Sequence, residues 1–222
     1  MNYPLPSRNA RRRGFTLIEM LVVIAIITIL AGLVIPLAGI AAKKKKISQA
    51  QSQISAIQVA IGQYKNKKGF YPPDNPNSAG QNQLVYELAG AKVDSATGNF
   101  IDSLKNTTIT PLNMTAIFSA GGIVNSSADP SDVGNYMAGL NINTMIKQVN
   151  TAPVQIWVFA NPTAGPASGN LPAVGGGFVN PIRYNSSSPT NNLNGYDLWV
   201  DIILGNTTNR ISNWSADPQV VH

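Results

Sequence analysis

The chain of 222 residues is long enough for one ordinary domain, and its 44% hydrophobic content supplies material for a core. It has no Cys, and its single His is His222, which leaves no basis for disulfides, thiolate sites, a Ser-His-Asp triad or a histidine-built metal centre. No GxxxxGK[ST] phosphate loop is present, so no enzyme activity is expected.

The formal charge of +6 is unevenly placed. Arg8, Arg11, Arg12 and Arg13 stand in the first 14 residues without an acid, and the remainder holds 12 basic and 10 acidic residues. A nucleic-acid groove needs basic side chains spread over a folded surface with stacking aromatics. Here the bases form two clusters, the arginines and Lys43 to Lys46, so no nucleic-acid partner is expected.

Between the clusters, residues 20–42 are 23 consecutive residues without a charge. At a rise of ~1.5 Å per residue they make ~34 Å of helix, enough for a hydrocarbon core of about 30 Å. Bases flank the run on both sides, so charge asymmetry alone does not orient it. The run is too long for a secretory signal, whose apolar part is about 7 to 15 residues. Arg12-Arg13 before an apolar stretch is a weak twin-arginine pattern, and it predicts an exported protein lacking everything up to about Ala42.

A third reading uses more of the residues. Arg11-Arg12-Arg13-Gly14, then Phe15-Thr16-Leu17-Ile18-Glu19 and a long apolar helix, resembles the class III leader of type IV prepilins and type II secretion pseudopilins. The resemblance implies a leader of residues 1–14, cleavage between Gly14 and Phe15 by a prepilin peptidase, and N-methylation of Phe15. It also removes the arginines from the mature chain and leaves Lys43 to Lys46 outside the cytoplasm.

Glu19 lies ~6 Å from the helix start. A charge at a membrane centre costs roughly 2.5 to 3.5 kcal/mol and less near the interface, so Glu19 alone would snorkel or protonate. The helix N-terminus favours its charge by a few tenths to ~1 kcal/mol. The resemblance implies more: pairing of Glu19 with a terminal amine, commonly a neighbouring subunit's, during filament assembly. Further along, Pro36 cannot donate to the carbonyl of Gly32, itself a poor helix former, so Gly32 and Pro36 mark a weak point.

Beyond the lysines, Ile47, Ala50, Ile54, Ile57, Ile61 and Tyr64 trace one helical face, and the helix is expected to run to about Lys68 and stop at Gly69. Residues 83–88 read as a short helix and 130–149 as a weakly periodic one. Strand signals fall at 154–159, 177–184 and 195–204. The segments Asn180-Pro181-Ile182-Arg183-Tyr184 and Gly195-Tyr196-Asp197-Leu198-Trp199 resemble sheet motifs of major, G-type pseudopilins.

The fold class expected is therefore α+β and pilin-like: a long N-terminal helix packed on a small antiparallel sheet, with a loop-rich insertion over 74–180. The segments are a leader at 1–14, a transmembrane or filament-core helix at 15–42, its amphipathic half at 43–68 and a globular head at 69–222. After the Tyr-Asp-Leu-Trp motif the family often has an acidic calcium loop. Here Asp197 and Asp201 are what remains of it, a candidate calcium pair or simply strand ends. No other cofactor is expected.

The resemblance implies a structural subunit of a pseudopilus, single-pass in the inner membrane before extraction into a periplasm-spanning filament. Its partners would be the peptidase, copies of itself, other pseudopilins, the inner-membrane assembly platform and lipid. The alternatives are a type IV surface pilin for adhesion, motility or DNA uptake, and a membrane-anchored exported protein.

Overall fold

The computed structural model describes residues 14–152 and 154–221, and within the first helix the side chains at 33–38 lie outside the description. Helix α1 is assigned over Leu17–Lys68. The chain divides inside it into two compact units, Met1–Lys44 and Lys45–His222.

In the second unit the expected amphipathic face is the one that is buried. Ala50, Ile54, Ile57, Ala60, Ile61 and Tyr64 are at most 2% exposed, while Ile47 is partly covered. The helix ends as its sequence dictates. Gly69 takes φ +89° and its N–H donates to Lys65 O at 2.7 Å, with Lys65, Lys67 and Lys68 in the last turn facing the negative end of the helix dipole.

The remaining elements are α2 (Leu84–Ala89), β1 (Ala91–Val93), β2 (Phe100–Asp102), β3 (Thr108–Ile109), α3 (Pro111–Phe118), β4 (Ser126–Ser127), α4 (Ile142–Met145), β5 (Ile146–Thr151), β6 (Val154–Asn161), β7 (Leu171–Pro172), β8 (Phe178–Pro181), β9 (Arg183–Asn185), β10 (Asp197–Leu204), β11 (Thr207–Ser212) and β12 (Gln219–Val221). They form three four-stranded sheets, ordered β3-β2-β1-β4, β5-β6-β8-β7 and β12-β11-β10-β9.

The last sheet is an antiparallel meander and supplies the surface on which α1 rests. Leu198, Val200, Ile202 and Leu204 alternate along β10, are buried, and join the α1 face in one cluster. Tyr184 of β9 is in the same cluster, its hydroxyl donating to Pro72 O at 2.8 Å across the chain reversal that follows the helix.

Residues 74–180 are rich in loops, as expected, but their short helices and strands do more than connect the elements around them. They build a second core of their own around Tyr86, Ile109, Met114, Phe118, Val149, Ile156 and Val158. Strand β6 is the wall between the two cores. Ile156, Val158 and Ala160 face the second core, and Phe159 faces the first. Its strands of two or three residues are too short to show a hydrophobic period. One start signal was legible: Thr110 caps α3 by accepting from Asn113 N at 3.2 Å, with Pro111 at the first helical position.

The helix expected over 130–149 is also replaced. Residues Pro130–Asp132 form a single 3-10 turn, α4 is one turn, and the chain then enters β5, paired with β6 through Ile146↔Phe159 and Val149↔Ile156. A non-local strand partner overrides the weak local periodicity.

One buried acid ties the layers together. Glu87 of α2 is 0% exposed and accepts from the Tyr64 hydroxyl at 2.9 Å, Val124 N at 2.8 Å and Asn125 N at 3.0 Å. Burial raises its pKa above the ordinary value, against the lowering effect of those bonds and of Lys68. A raised carboxyl pKa contributes stability that is full below the unfolded value of about 4.3 and is lost as pH rises through the folded value. Glu87→Ala strands three donors and is expected to cost about 1–3 kcal/mol in denaturant unfolding. The cost should be greatest in acid and shrink as pH rises; a pH-independent difference would contradict this account.

Candidate functional site: the start of the first helix

Thr16, Leu17, Ile18 and Glu19 build a reciprocal cap where α1 begins. The Thr16 N–H and hydroxyl donate to Glu19 Oε2 at 2.8 and 2.7 Å, and Glu19 N–H donates to Thr16 Oγ1 at 3.3 Å. This is a capping box, in which Thr at the N-cap and Glu three residues on satisfy each other's open backbone donors. The T-x-x-E spacing was legible in the sequence, and Thr16 belongs with the site residues read there. Among the described residues Glu19 Oε1 accepts nothing, so one carboxylate oxygen is open to a donor from outside the chain.

Around Glu19 the surface is apolar. Phe15, Ile18, Val22 and Val23 share its stripe of the helix, and Phe15 and Ile18 are 74% and 63% exposed. The exposure is general in this unit: Leu17, Leu21, Ile24, Ile26, Ile27, Ile29 and Leu30 also stand uncovered. Monomers rarely leave a contiguous apolar surface of this kind bare. Among the described residues no helix is long and apolar enough to cross a membrane; the side chains at 33–38, in the middle of the 20–42 run, are outside that description.

Gly14 precedes the cap, exposed, and a Cβ built there would meet nothing within 4 Å. Among the described residues nothing sets a steric demand for glycine at that position. The leader residues before it, with Arg8 and Arg11 to Arg13, fall outside the described residues. Gly32 lies within helix α1 with nothing within 4 Å of a built Cβ among the described residues, and the side chain of its partner in the expected weak point, Pro36, is not described.

The candidate calcium pair is not assembled. Asp197 and Asp201 both lie on β10, four residues and ~13 Å apart along the strand. Each is held by different protein donors. Asp201 receives a bidentate pair from Arg210, Nε to Oδ1 at 2.8 Å and Nη2 to Oδ2 at 3.0 Å, with Arg183 Nη1 3.8 Å away. Asp197 accepts five bonds of 2.8–3.2 Å from Thr190, Asn191 and Asn192. In this structure Asp197 anchors the 190–192 loop. Among the described residues no three His, Cys, Asp or Glu side chains converge on a metal position. Asp129 and Asp132 are exposed turn residues, Asp129 capping its own turn.

Residues 9–35 match the family described as the prokaryotic N-terminal methylation motif. The N-terminal segment of the chain is prepilin-like. The match covers the leader junction, the capping box and the first turns of α1. Among similar proteins, the type II secretion system core protein G of Escherichia coli K12 is 46% identical over 66 residues, which is 29% of this chain and 45% of that protein. The type IV major pilin protein PilE1 of Neisseria gonorrhoeae is 33% identical over 89 residues, 40% of this chain and 41% of the pilin. The type IV major pilin protein PilA of Myxococcus xanthus is 34% identical over 99 residues, 42% of this chain and 44% of its own. The chain thus spans less than half the length of these relatives. No solved structure matches it significantly. A long first helix with sheets that are antiparallel apart from the β1–β4 pair makes the fold α+β.

Asp197 gives this part of the molecule an acid sensitivity. Burial opposes its charge, but the bonds from Asn191, Asn192 and Thr190 outweigh that and hold its pKa below the ordinary value. A depressed carboxyl pKa contributes stability present above the unfolded value of about 3.9 and lost as pH falls through the folded one. Asp197→Asn is expected to lose about 1–3 kcal/mol at neutral pH, with the difference closing in acid. Equal unfolding midpoints at neutral pH would remove the anchor role.

Proposed function

We propose that this protein is the structural subunit of a pseudopilus of the type II secretion kind. In this reading the leader is cut between Gly14 and Phe15 by a prepilin peptidase, Phe15 is N-methylated, and the chain polymerises through its first helix. The observation that carries the proposal is one carboxylate, capped at the helix start, within an exposed apolar helix. Such a helix needs lipid or like helices around it. The open oxygen of Glu19 needs a cationic donor, and cleavage after Gly14 would create one at Phe15.

Before assembly the first helix would anchor the chain in the inner membrane, with the rest outside the cytoplasm. In the filament the partners would be copies of the chain, other pseudopilins and the assembly platform. Gly32 and Pro36 would let the helix loosen there. A type IV surface pilin is the second reading, and it rests on the similarity to major pilins over segments as long as those shared with core protein G. Which companion pseudopilins co-purify with the filament separates the two.

Mass spectrometry of membrane-extracted protein is expected to find a chain starting at N-methylated Phe15. A start near residue 43, or at Met1, would remove the prepilin pathway. Gly14→Leu is expected to block the cut, and because none of the described residues crowds Gly14, the block would report the peptidase's own pocket. Glu19→Gln separates the two roles of Glu19, since Gln also serves in a capping box but carries no charge. The variant is expected to be processed normally and to be lost from filaments. Filament yield equal to wild type would leave Glu19 with the cap alone.

A further inference from the structure

Directly after the apolar run, one turn of α1 is made of four consecutive lysines, Lys43 to Lys46, and all four side chains are exposed. At 3.6 residues per turn, successive side chains point about 100° apart, so the four are spread around the whole helix. They form a collar, not a face. A docking protein or a single bound anion would meet one side of the helix and leave the other lysines unused. A surface that the helix passes through meets all four.

The collar has no acid to answer it. From Met20 to Pro73 the sequence holds seven lysines and no Asp or Glu. Among the described residues the ion pairs are those of Arg183 and Arg210 with Asp201, so none of these lysines is paired. A helix that only faces water ordinarily carries both signs. Here Lys43 and Lys46 stand three residues apart, where side chains are neighbours and like charges repel.

The groove beside α1 on the second unit has the same character. It encloses ≈ 640 Å³, and its lining includes Lys45, Ser48, Ser52, Asn141 and Thr144 and no acid. Those five side chains are exposed, so their ammonium, hydroxyl and amide groups are open to a ligand.

We propose that the collar binds the headgroups of anionic phospholipids at the membrane surface from which α1 emerges. This rests on the anchor reading given above, in which residues 20–42 lie in lipid, and it holds for a pseudopilin and a surface pilin alike. The first lysine follows the run by one residue, a rise of ~1.5 Å, which puts the collar at headgroup level. There the ammonium groups meet lipid phosphates, and Ser48 and Ser52 offer hydroxyls to the same headgroups. Each basic residue held at an anionic surface strengthens attachment about fivefold. Extraction into a filament breaks these contacts, so the collar holds the subunit in the membrane until it is assembled.

The test reconstitutes the full chain in phosphatidylcholine bilayers with spin-labelled phosphatidylglycerol or spin-labelled phosphatidylcholine. Electron spin resonance reads the fraction of each label immobilised by the protein. The wild type is expected to favour phosphatidylglycerol severalfold at low salt, and to lose most of that preference at roughly 1 M salt, where the Debye length is about 3 Å. The combined variant Lys43→Gln, Lys44→Gln, Lys45→Gln, Lys46→Gln is expected to cut the preference to about half or less. The same four positions changed to Arg should keep it, because the charge is kept. The leader arginines are the same in all three proteins, so the difference reports the collar. All four side chains are exposed, so the second unit should melt at the wild-type temperature in both variants, which is checked alongside. Equal immobilisation of the two lipids by the wild type overturns the proposal. An undiminished preference in the Gln variant does so too, as does its loss in the Arg variant. A chain that immobilises neither label overturns the anchor reading as well.

Discussion

The constraint on which the rest depends is the apolar surface of the first unit. Among the described residues, 13 large apolar side chains from Phe15 to Ile40 are exposed. Covering such a side chain is worth roughly 1.5–3 kcal/mol, so together they amount to some tens of kcal/mol. That exceeds the whole folding stability of an ordinary domain, about 5–15 kcal/mol. A segment with this composition has to be enclosed by lipid or by other helices, whatever the rest of the chain does. The second unit meets the same demand internally, by presenting only one stripe of its helix and covering it with β10 and its neighbours.

Glu19 is the one acidic residue in the sequence of the first unit, and its placement has a local cause. At the third helical position it can reach back to Thr16, which supplies two donors and closes the open end of the helix. The cap organises one carboxylate oxygen and leaves the other. A charge so placed is tolerated by the helix start.

The second unit has two cores sharing one strand, and this makes its middle region structural. Alternation along β6 sends Ile156, Val158 and Ala160 to one core and Phe159 to the other. Glu87 links the same layers by polar means, joining Tyr64 of the first helix to the backbone at Val124 and Asn125. Removing either connection would uncouple the second layer from the helix.

The sequence by itself determined what depends on local order and period. The N-terminal motif over residues 9–35 was readable because a basic junction followed by an apolar helix is a pattern of neighbours. The buried face from Ala50 to Tyr64 was readable because a helix repeats every 3.6 residues. Gly69 announced the helix end, and Thr16 and Thr110 carried cap spacings that needed only to be noticed. Tertiary structure decided what depends on distant partners. Residues 146–151 became a strand because β6 was available to pair with them, which no local period reveals. Asp197 and Asp201, alike in sequence, were separated into a loop anchor and an arginine partner by the chain around them. Which donors a carboxylate finds is settled by three-dimensional packing.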